Sequence, residues 1–515
     1  MSGSVPTSTR PPIRTYGGWR RPMSPGLGAL ALVPTLGIFV GLIVTLLVAT
    51  TTSLTAGAIC GAVFLLLTAP AVVQIGDRPA WRHLTLRWAW RRARRTGAAV
   101  YRSGPLGHLP EEDCRLPGLL ARSRVWSARD SYSRPFALIQ HPFSNQWTVV
   151  LAVNPNGGAL ISREDRDGRV AHWDTWLAVL GREHGIDQVA VVLDQVPDPG
   201  RILRACVDES IAPDAPEFAA RMMRDAARVY PTGSAELTAF VAITFSGRKL
   251  AVPTGDRVAE EAAELAAREI GTRLPGLSRS LVATGSGEGR PVTADGLATM
   301  VRGWYDPAVQ VPLAEAAARG WEPGLRWEDA GPVAAQETWD TYRHDSGLSR
   351  VLEMTSSPRG TVYDSVLSPM IAPMPGRKRV TLLYRPLPAA DAPAALDLQV
   401  RAALNRAGRR KGLVHAHDSA EVRAAVQAAQ EEATGAGVVS FSMFVTVTVD
   451  GDRDGGRPEE DLRAATEAIV RAARSAQVVL RPVAGAQAAA FAAGLGVGIV
   501  PVNHSLLPSG VRSGV

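Results

Sequence analysis

Cysteine is nearly missing from this chain, with three in 515 residues. Cys60, Cys114 and Cys206 stand far apart, with no CxxC and no Cys/His ligand spacing. That pattern excludes a disulfide framework and a structural zinc site, and it fits a reducing compartment. Lysine is as scarce: Lys249, Lys378 and Lys411 are the whole set. A nucleotide motor needs the loop G-x-x-x-x-G-K-[ST], in which backbone amides cradle phosphates and a lysine reaches the β and γ oxygens. Lys249 is followed by Leu, Lys378 by Arg and Lys411 by Gly, so no Walker A loop is present. A nucleophile elbow (G-x-S-x-G) and a metalloprotease helix (H-E-x-x-H) are also missing.

Two stretches lack charge altogether. Leu27–Ala49 and Leu54–Val73 contain no Asp, Glu, Lys, Arg or His, and they are joined by Thr50, Thr51, Thr52 and Ser53. Each has about the 20 residues that a helix needs to cross a bilayer. The expectation is a transmembrane helical hairpin over residues 26–74. The alternative is a secretory signal peptide followed by one anchor. Gly37 and Gly41 form a GxxxG in the first stretch, Gly57 and Gly61 one in the second. Small residues four apart let helix backbones approach, so these four glycines are the expected helix-packing positions.

Positive charge is concentrated beside this hairpin. Residues 1–102 hold 12 Arg against one acid, Asp77, a net of +11. The chain total is +7, so residues 103–515 carry 7 − 11 = −4. Arginines flank both ends and none lies in the connection, which places both termini and the large domain on the cytoplasmic side of the cell membrane. A basic juxtamembrane helix and linker is expected over 75–115. Arg82, Arg87, Arg91, Arg92, Arg94 and Arg95, with Trp81 and Trp88, are the expected lipid contacts, through anionic headgroups and an interfacial aromatic belt. Nucleic acid is the other polyanion that such a collar would suit.

The Ser/Pro/Arg-rich residues 1–25 are expected to be a disordered arm and 506–515 a flexible tail. Between them the pattern alternates between helix and strand. Strands are expected at 135–141, 147–153, 186–193, 237–245, 281–283, 379–385, 438–449 and 478–481. Helices are expected at 174–184, 216–230, 257–274, 294–304, 395–406, 420–433, 459–473 and 487–493. Helix 216–230 with strand 237–245 matches helix 420–433 with strand 438–449 at an offset of about 204. The expected fold class is therefore α/β (α+β), with two related sheet-plus-helix units at 116–305 and 377–505. Each sheet is covered on one side by helices, and residues 306–376 connect the units. In strand 438–449, Val439, Phe441, Met443, Val445, Val447 and Val449 share one face, with mostly Ser and Thr on the other.

The remaining chemical motifs read blandly. Asp450-Gly-Asp452-Arg-Asp454 imitates a calcium loop, but a strand precedes it and Arg457 and Pro458 fill later positions of the loop, so it reads as a polar turn. His415-Ala-His417-Asp418 has no second ligand cluster and reads as surface loop. Gly494, Gly496 and Gly498 follow a helix and not a strand, which is the wrong context for a dinucleotide loop. Catalytic, cofactor and metal residues are therefore expected to be none.

Three segments carry a family resemblance. Tyr16-Gly-Gly-Trp19-Arg-Arg-Pro22, running into the double apolar stretch and the Arg/Trp collar, resembles the PrgI-like membrane proteins of actinobacterial conjugative elements. Arg134-Pro-Phe-Ala-Leu-Ile139, Trp147-Thr-Val-Val150 and the closing Ala486–Pro501 are similar to the amino-terminal, non-ATPase half of the conjugation ATPase of type IV secretion systems. The EccE membrane component of type VII secretion has a similar layout of two spans, a basic region and an α/β domain. The resemblance implies a non-enzymatic membrane scaffold of a secretion or conjugative DNA-transfer machine. It implies a separate hexameric ATPase and other membrane subunits as partners, in a homo-oligomer or larger complex. It leaves DNA or protein as cargo, and carries no catalytic residue to transfer.

Overall fold

The computed structural model describes residues 32–504, apart from 76–77, 105–106, 108–112, 158–160, 198–199, 230–234, 322, 359–361, 375, 410–415, 434, 436 and 452–455. The expected arm 1–25 and tail 506–515 lie outside the described residues, as do His415, Asp452 and Asp454 and the side chains of His417 and Asp418.

The chain begins with α1 (Leu32–Thr51) and α2 (Leu54–Val72). A two-residue ladder of β1 (Gln74–Ile75) and β2 (Arg78–Pro79) leads to the basic α3 (Ala80–Arg95) and then β3 (Val100–Arg102). Next come β4 (Arg124–Arg129), β5 (Pro135–His141), β6 (Gln146–Val153), α4 (Arg163–Arg182) and β7 (Ile186–Pro197). They are followed by α5 (Arg201–Ser210), α6 (Glu217–Val229), β8 (Ala235–Ser246), α7 (Ala259–Ser280), β9 (Arg290–Pro291), α8 (Ala294–Tyr305) and α9 (Pro307–Ala318). The last third holds β10 (Ala334–Glu337), β11 (Tyr342–His344), β12 (Gly347–Ser356), α10 (Ser368–Ile371), β13 (Arg377–Pro386), α11 (Ala392–Arg409) and α12 (Ala416–Ala433). It closes with β14 (Val439–Asp450), α13 (Pro458–Ser475), β15 (Val479–Pro482) and α14 (Gln487–Gly494).

The expected fold class needs correction at its first element. Among the described residues no helix is long and apolar enough to cross a membrane, so the transmembrane hairpin is not seen. What forms is a helical hairpin with a tight corner, where Ser53 caps α2 by accepting from the Ala56 amide at 3.1 Å.

The second correction concerns the sheets. The two expected sheets are one: a thirteen-stranded antiparallel sheet among the described residues, in the order β3-β10-β11-β12-β14-β13-β7-β8-β6-β5-β4, with β15 on β12 and β9 on β6. Residues 306–376, expected as a connection, supply β10, β11 and β12 to it. The expected strand at 281–283 is a 3-10 turn, Val282–Thr284.

The strand order repeats about its centre. From β7 outward it runs β8, β6, β5, β4; from β13 outward it runs β14, β12, β11, β10. Ladder registers place Thr148 opposite Thr244 in one half and Ser349 opposite Thr448 in the other. Arg290-Pro291-Val292 and Arg481-Pro482-Val483 share a sequence and a role. Val292 donates its amide to Val150 and Val483 donates its amide to Val351, each at 3.0 Å. β7 and β13 meet antiparallel at the seam, from Lys378↔Gln195 to Tyr384↔Val189.

Helices cover both faces of the sheet, not one. Because side chains alternate across a strand, Val149, Val189, Val241 and Ile243 point to a core with Ala262, Ala266, Ile270 and Leu274 of α7. Val380, Met443, Val445 and Val447 meet Leu462 and Ile469 of α13. On the opposite face, Val150, Val192, Ala242, Val351 and Leu383 share one core with Leu297 and Val301 of α8, Phe491 of α14 and Leu495, Val497 and Ile499. The Ser/Thr face of β14 is covered here: Thr446 and Thr448 are buried, and Thr448 hydrogen-bonds Ser349 at 2.7 Å.

Candidate functional site

The feature that most demands a partner is the α1–α2 hairpin. Leu42, Ile43, Leu46, Leu47, Ile59 and Leu66 are all exposed, and Leu54 at the corner is 84% exposed. Burying a side chain of this size stabilises by about 1.5–3 kcal/mol, so such a surface favours an apolar environment. The hydroxyls of the hairpin agree. Thr45 donates to the Gly41 carbonyl at 2.8 Å, Thr51 to Leu47 at 2.7 Å, Thr52 to Val48 at 2.7 Å and Thr68 to Phe64 at 2.9 Å. Each polar side chain is turned back onto its own helix, and that satisfies the donor without water.

Three of the four expected packing glycines lie between the helices. A Cβ at Gly41 would strike the Phe64 ring, one at Gly57 the Ala49 side chain, and one at Gly61 would come within 3.2 Å of Thr45 Cγ2. Gly37 has nothing within 4 Å and takes no part.

α3 presents the basic surface. Arg87, Arg91, Arg92, Arg94 and Arg95 are exposed, and none forms an ion pair among the described residues. The side chains of Trp81 and Arg82 lie outside the described residues. Trp88 is exposed, with Arg92 over its ring at 5.9 Å. Trp90 turns the other way. Arg94 lies over its ring at 4.9 Å, and it meets Trp339 of the body edge-on at 5.5 Å. From α3 the chain enters the sheet directly. β3 pairs with β10, Ala99 accepts from the Glu337 amide at 2.8 Å, and the Ser103 amide and hydroxyl donate to Val333 and Pro332 at 2.8 and 2.6 Å. Sequence periodicity does not show β3 or the Trp339 contact; a three-residue edge strand carries too little pattern to register.

No family model matches this chain. No curated protein matches it either.

The other sequence candidates are not brought together. Among the described residues no group of three His, Cys, Asp or Glu side chains is placed to hold a metal. The three cysteines are free thiols. The Gly494–Gly498 segment is a packing device: Gly496 (φ +71°) lies against Val192, and Gly498 (φ +96°) against Thr148 and His141.

The most perturbed titratable groups are internal. His141 donates through Nε2 to the Val497 carbonyl at 2.8 Å, and His344 through Nδ1 to the Tyr305 carbonyl at 2.6 Å. Both are fully buried, and that burial pushes each imidazole down to about 4, outweighing the carbonyl that favours the proton. At the seam, Arg379 pairs with Asp194 at 3.0 Å and lies over Trp304 at 4.4 Å, while Trp304 Nε1 donates to Asp194 at 3.2 Å. This network joins the halves of the sheet and opens to no large cavity; the space beside it is about 20 Å3.

Proposed function

We propose that this protein is a non-catalytic scaffold subunit of a bacterial secretion or conjugative DNA-transfer machine, attached to a lipid bilayer and docking a separate P-loop ATPase. The observation that carries the attachment is the continuous link from an apolar hairpin, through an arginine-rich helix, into the edge of a large sheet. The hairpin supplies apolar surface, α3 supplies five exposed guanidinium groups, and the β3–β10 ladder ties α3 to the body. Charge at this level attracts anionic headgroups by about 1 kcal/mol per arginine. The ATPase partner rests on the resemblance of β5, β6 and the closing segment to the docking half of a conjugation ATPase.

The test is affinity purification of the tagged chain from detergent-solubilised membranes, with partners identified by mass spectrometry. Recovery of a P-loop ATPase of the conjugation type supports the reading. A type VII motor with its membrane partners replaces it with an EccE-like role. Recovery of the chain alone, under conditions that preserve known complexes, overturns the scaffold.

A further inference from the structure

The crossover from β7 to β8 is made by α5 and α6, and these two helices pack chiefly on each other. Successive antiparallel ladders give β3 and β7 the same direction. α3 precedes β3 and α5 follows β7, so the α5–α6 hairpin leaves the sheet at the end away from α3. In α6, Ala220 and Ala227 are the buried residues, and their heptad spacing marks the side packed on α5. Phe218, Met222 and Val229 recur at helical spacing and form a second stripe. All three are exposed, Phe218 by 73%, and Met223 beside them is exposed as well. An amphipathic helix turns such a stripe towards a core, and no described element covers this one.

On one side of the stripe, α5 and α6 leave an apolar hollow of about 360 Å3, lined by Cys206, Val207, Ile211, Ala215, Ala219 and Met223. Along the other side run four charges in the order Glu217, Arg221, Asp225, Arg228. Within one copy they pair along the helix, Arg221 with Glu217 at 2.8 Å and Arg228 with Asp225 at 3.5 Å. The signs alternate, minus, plus, minus, plus, so the series is its own complement when reversed. A second α6 laid antiparallel puts Glu217 opposite Arg228 and Arg221 opposite Asp225, as a two-fold interface requires. A parallel second helix puts like charges together.

We propose that α6 pairs antiparallel with α6 of a second copy of this chain, so that two α5–α6 hairpins close a four-helix bundle about a two-fold axis. The register that matches the charges is centred on Met222 and Met223. Phe218 then lies against Ala226 and Val229 of the second copy. The methionines, unbranched and adaptable, reach into the hollows beside them. The paired helices run 13 residues, about 20 Å. The inference is independent of the proposed function, since it uses neither the bilayer nor an ATPase.

The test is oxidative cross-linking of the purified full chain, in a background with Cys60, Cys114 and Cys206 replaced by Ser. Met222→Cys stands at the two-fold axis and should give a disulfide-linked dimer on non-reducing electrophoresis. Phe218→Cys, about 13 Å along the helix from its own counterpart, should not. Sedimentation of the chain with its own cysteines supplies a second measurement. Glu217→Arg sets arginines opposite one another and should weaken self-association at least about tenfold, and adding Arg228→Glu should restore it. Residues 217 and 228 are roughly 16 Å apart along one helix, so restoration comes from the second copy. All of these positions are exposed, so each variant should fold. A chain that stays monomeric at every concentration overturns the inference. So does a dimer that Phe218→Asp leaves intact, and so does a cross-link at Phe218→Cys without one at Met222→Cys. Covering of α6 by a different protein, with this chain monomeric, overturns it as well.

Discussion

His141 and His344 occupy equivalent places in the two halves of the sheet. Each ends the strand next to the outer one, β5 or β11, and each donates a hydrogen bond to a backbone carbonyl of a segment packed on the face, Val497 or Tyr305. His344 continues the chain: its Nε2 accepts from Ser349, whose oxygen is 2.7 Å from Thr448. Both rings are neutral in the folded state.

This neutrality sets a pH dependence. Each pKa falls from 6.5 unfolded to about 4 folded. Between those values the unfolded chain binds more protons than the folded one, so stability rises with pH through the window. It is fully present above about 6.5 and is lost as pH falls towards 4. At about 1.4 kcal/mol per pKa unit, each histidine contributes on the order of 3 kcal/mol across the window. Urea unfolding at pH 5 and pH 7.5 should show lower stability at pH 5, and His344→Gln should flatten the difference.

Gly498 is the least replaceable glycine of the closing segment. Its φ of +96° disfavours any side chain, and a Cβ there would strike Thr148 and come within 2.7 Å of His141 Nε2. Gly498→Ala should destabilise by about 2 kcal/mol or more, from strain and displaced hydrogen bonds. Gly157→Ala, with nothing within 4 Å, should be near neutral. Thermal unfolding of the two variants makes the comparison.

At the seam, Asp194 and Arg379 are 7% and 8% exposed. Removing one partner leaves a buried charge alone. Asp194→Leu and Arg379→Met should each cost about 3–5 kcal/mol, whereas the two together should cost far less than the sum. A double-mutant cycle on urea midpoints measures the coupling.

In the hairpin, Gly61 lies beside Thr45. Thr45→Cys with Gly61→Cys should cross-link readily, in a background with Cys60 replaced by Ser. Adding Gly41→Leu should abolish the cross-link, because the Leu side chain meets Phe64, and Gly37→Leu should leave it intact. Non-reducing electrophoresis gives the readout.

Much of the fold is legible in local pattern. Period-two alternation is clear on β14, where Met443, Val445 and Val447 do face α13, and Pro458 does open that helix. Long-range features are not legible this way. β10 and β11 are four and three residues long, too short for a period to emerge, so residues 306–376 resemble a connection. The joining of two sheets at β7–β13 depends on residues far apart in the chain, such as Asp194 and Arg379, and nothing local marks them. Covering of the Ser/Thr face of β14 follows from hydroxyl pairs such as Ser349–Thr448, which leave a buried strand looking half-polar. At the candidate site, the glycine spacing indicates Gly41, Gly57 and Gly61 but equally Gly37, since sequence does not tell which side of a helix meets its neighbour.

Flotation of the purified full chain with vesicles tests the attachment most directly. The protein should float with vesicles containing phosphatidylglycerol, and replacing Arg87, Arg91, Arg92, Arg94 and Arg95 by Gln should weaken binding by about fivefold per residue at low salt. Binding to neutral phosphatidylcholine vesicles should be weaker. A chain that stays at the bottom of the gradient with either vesicle, while folded by circular dichroism, would contradict it.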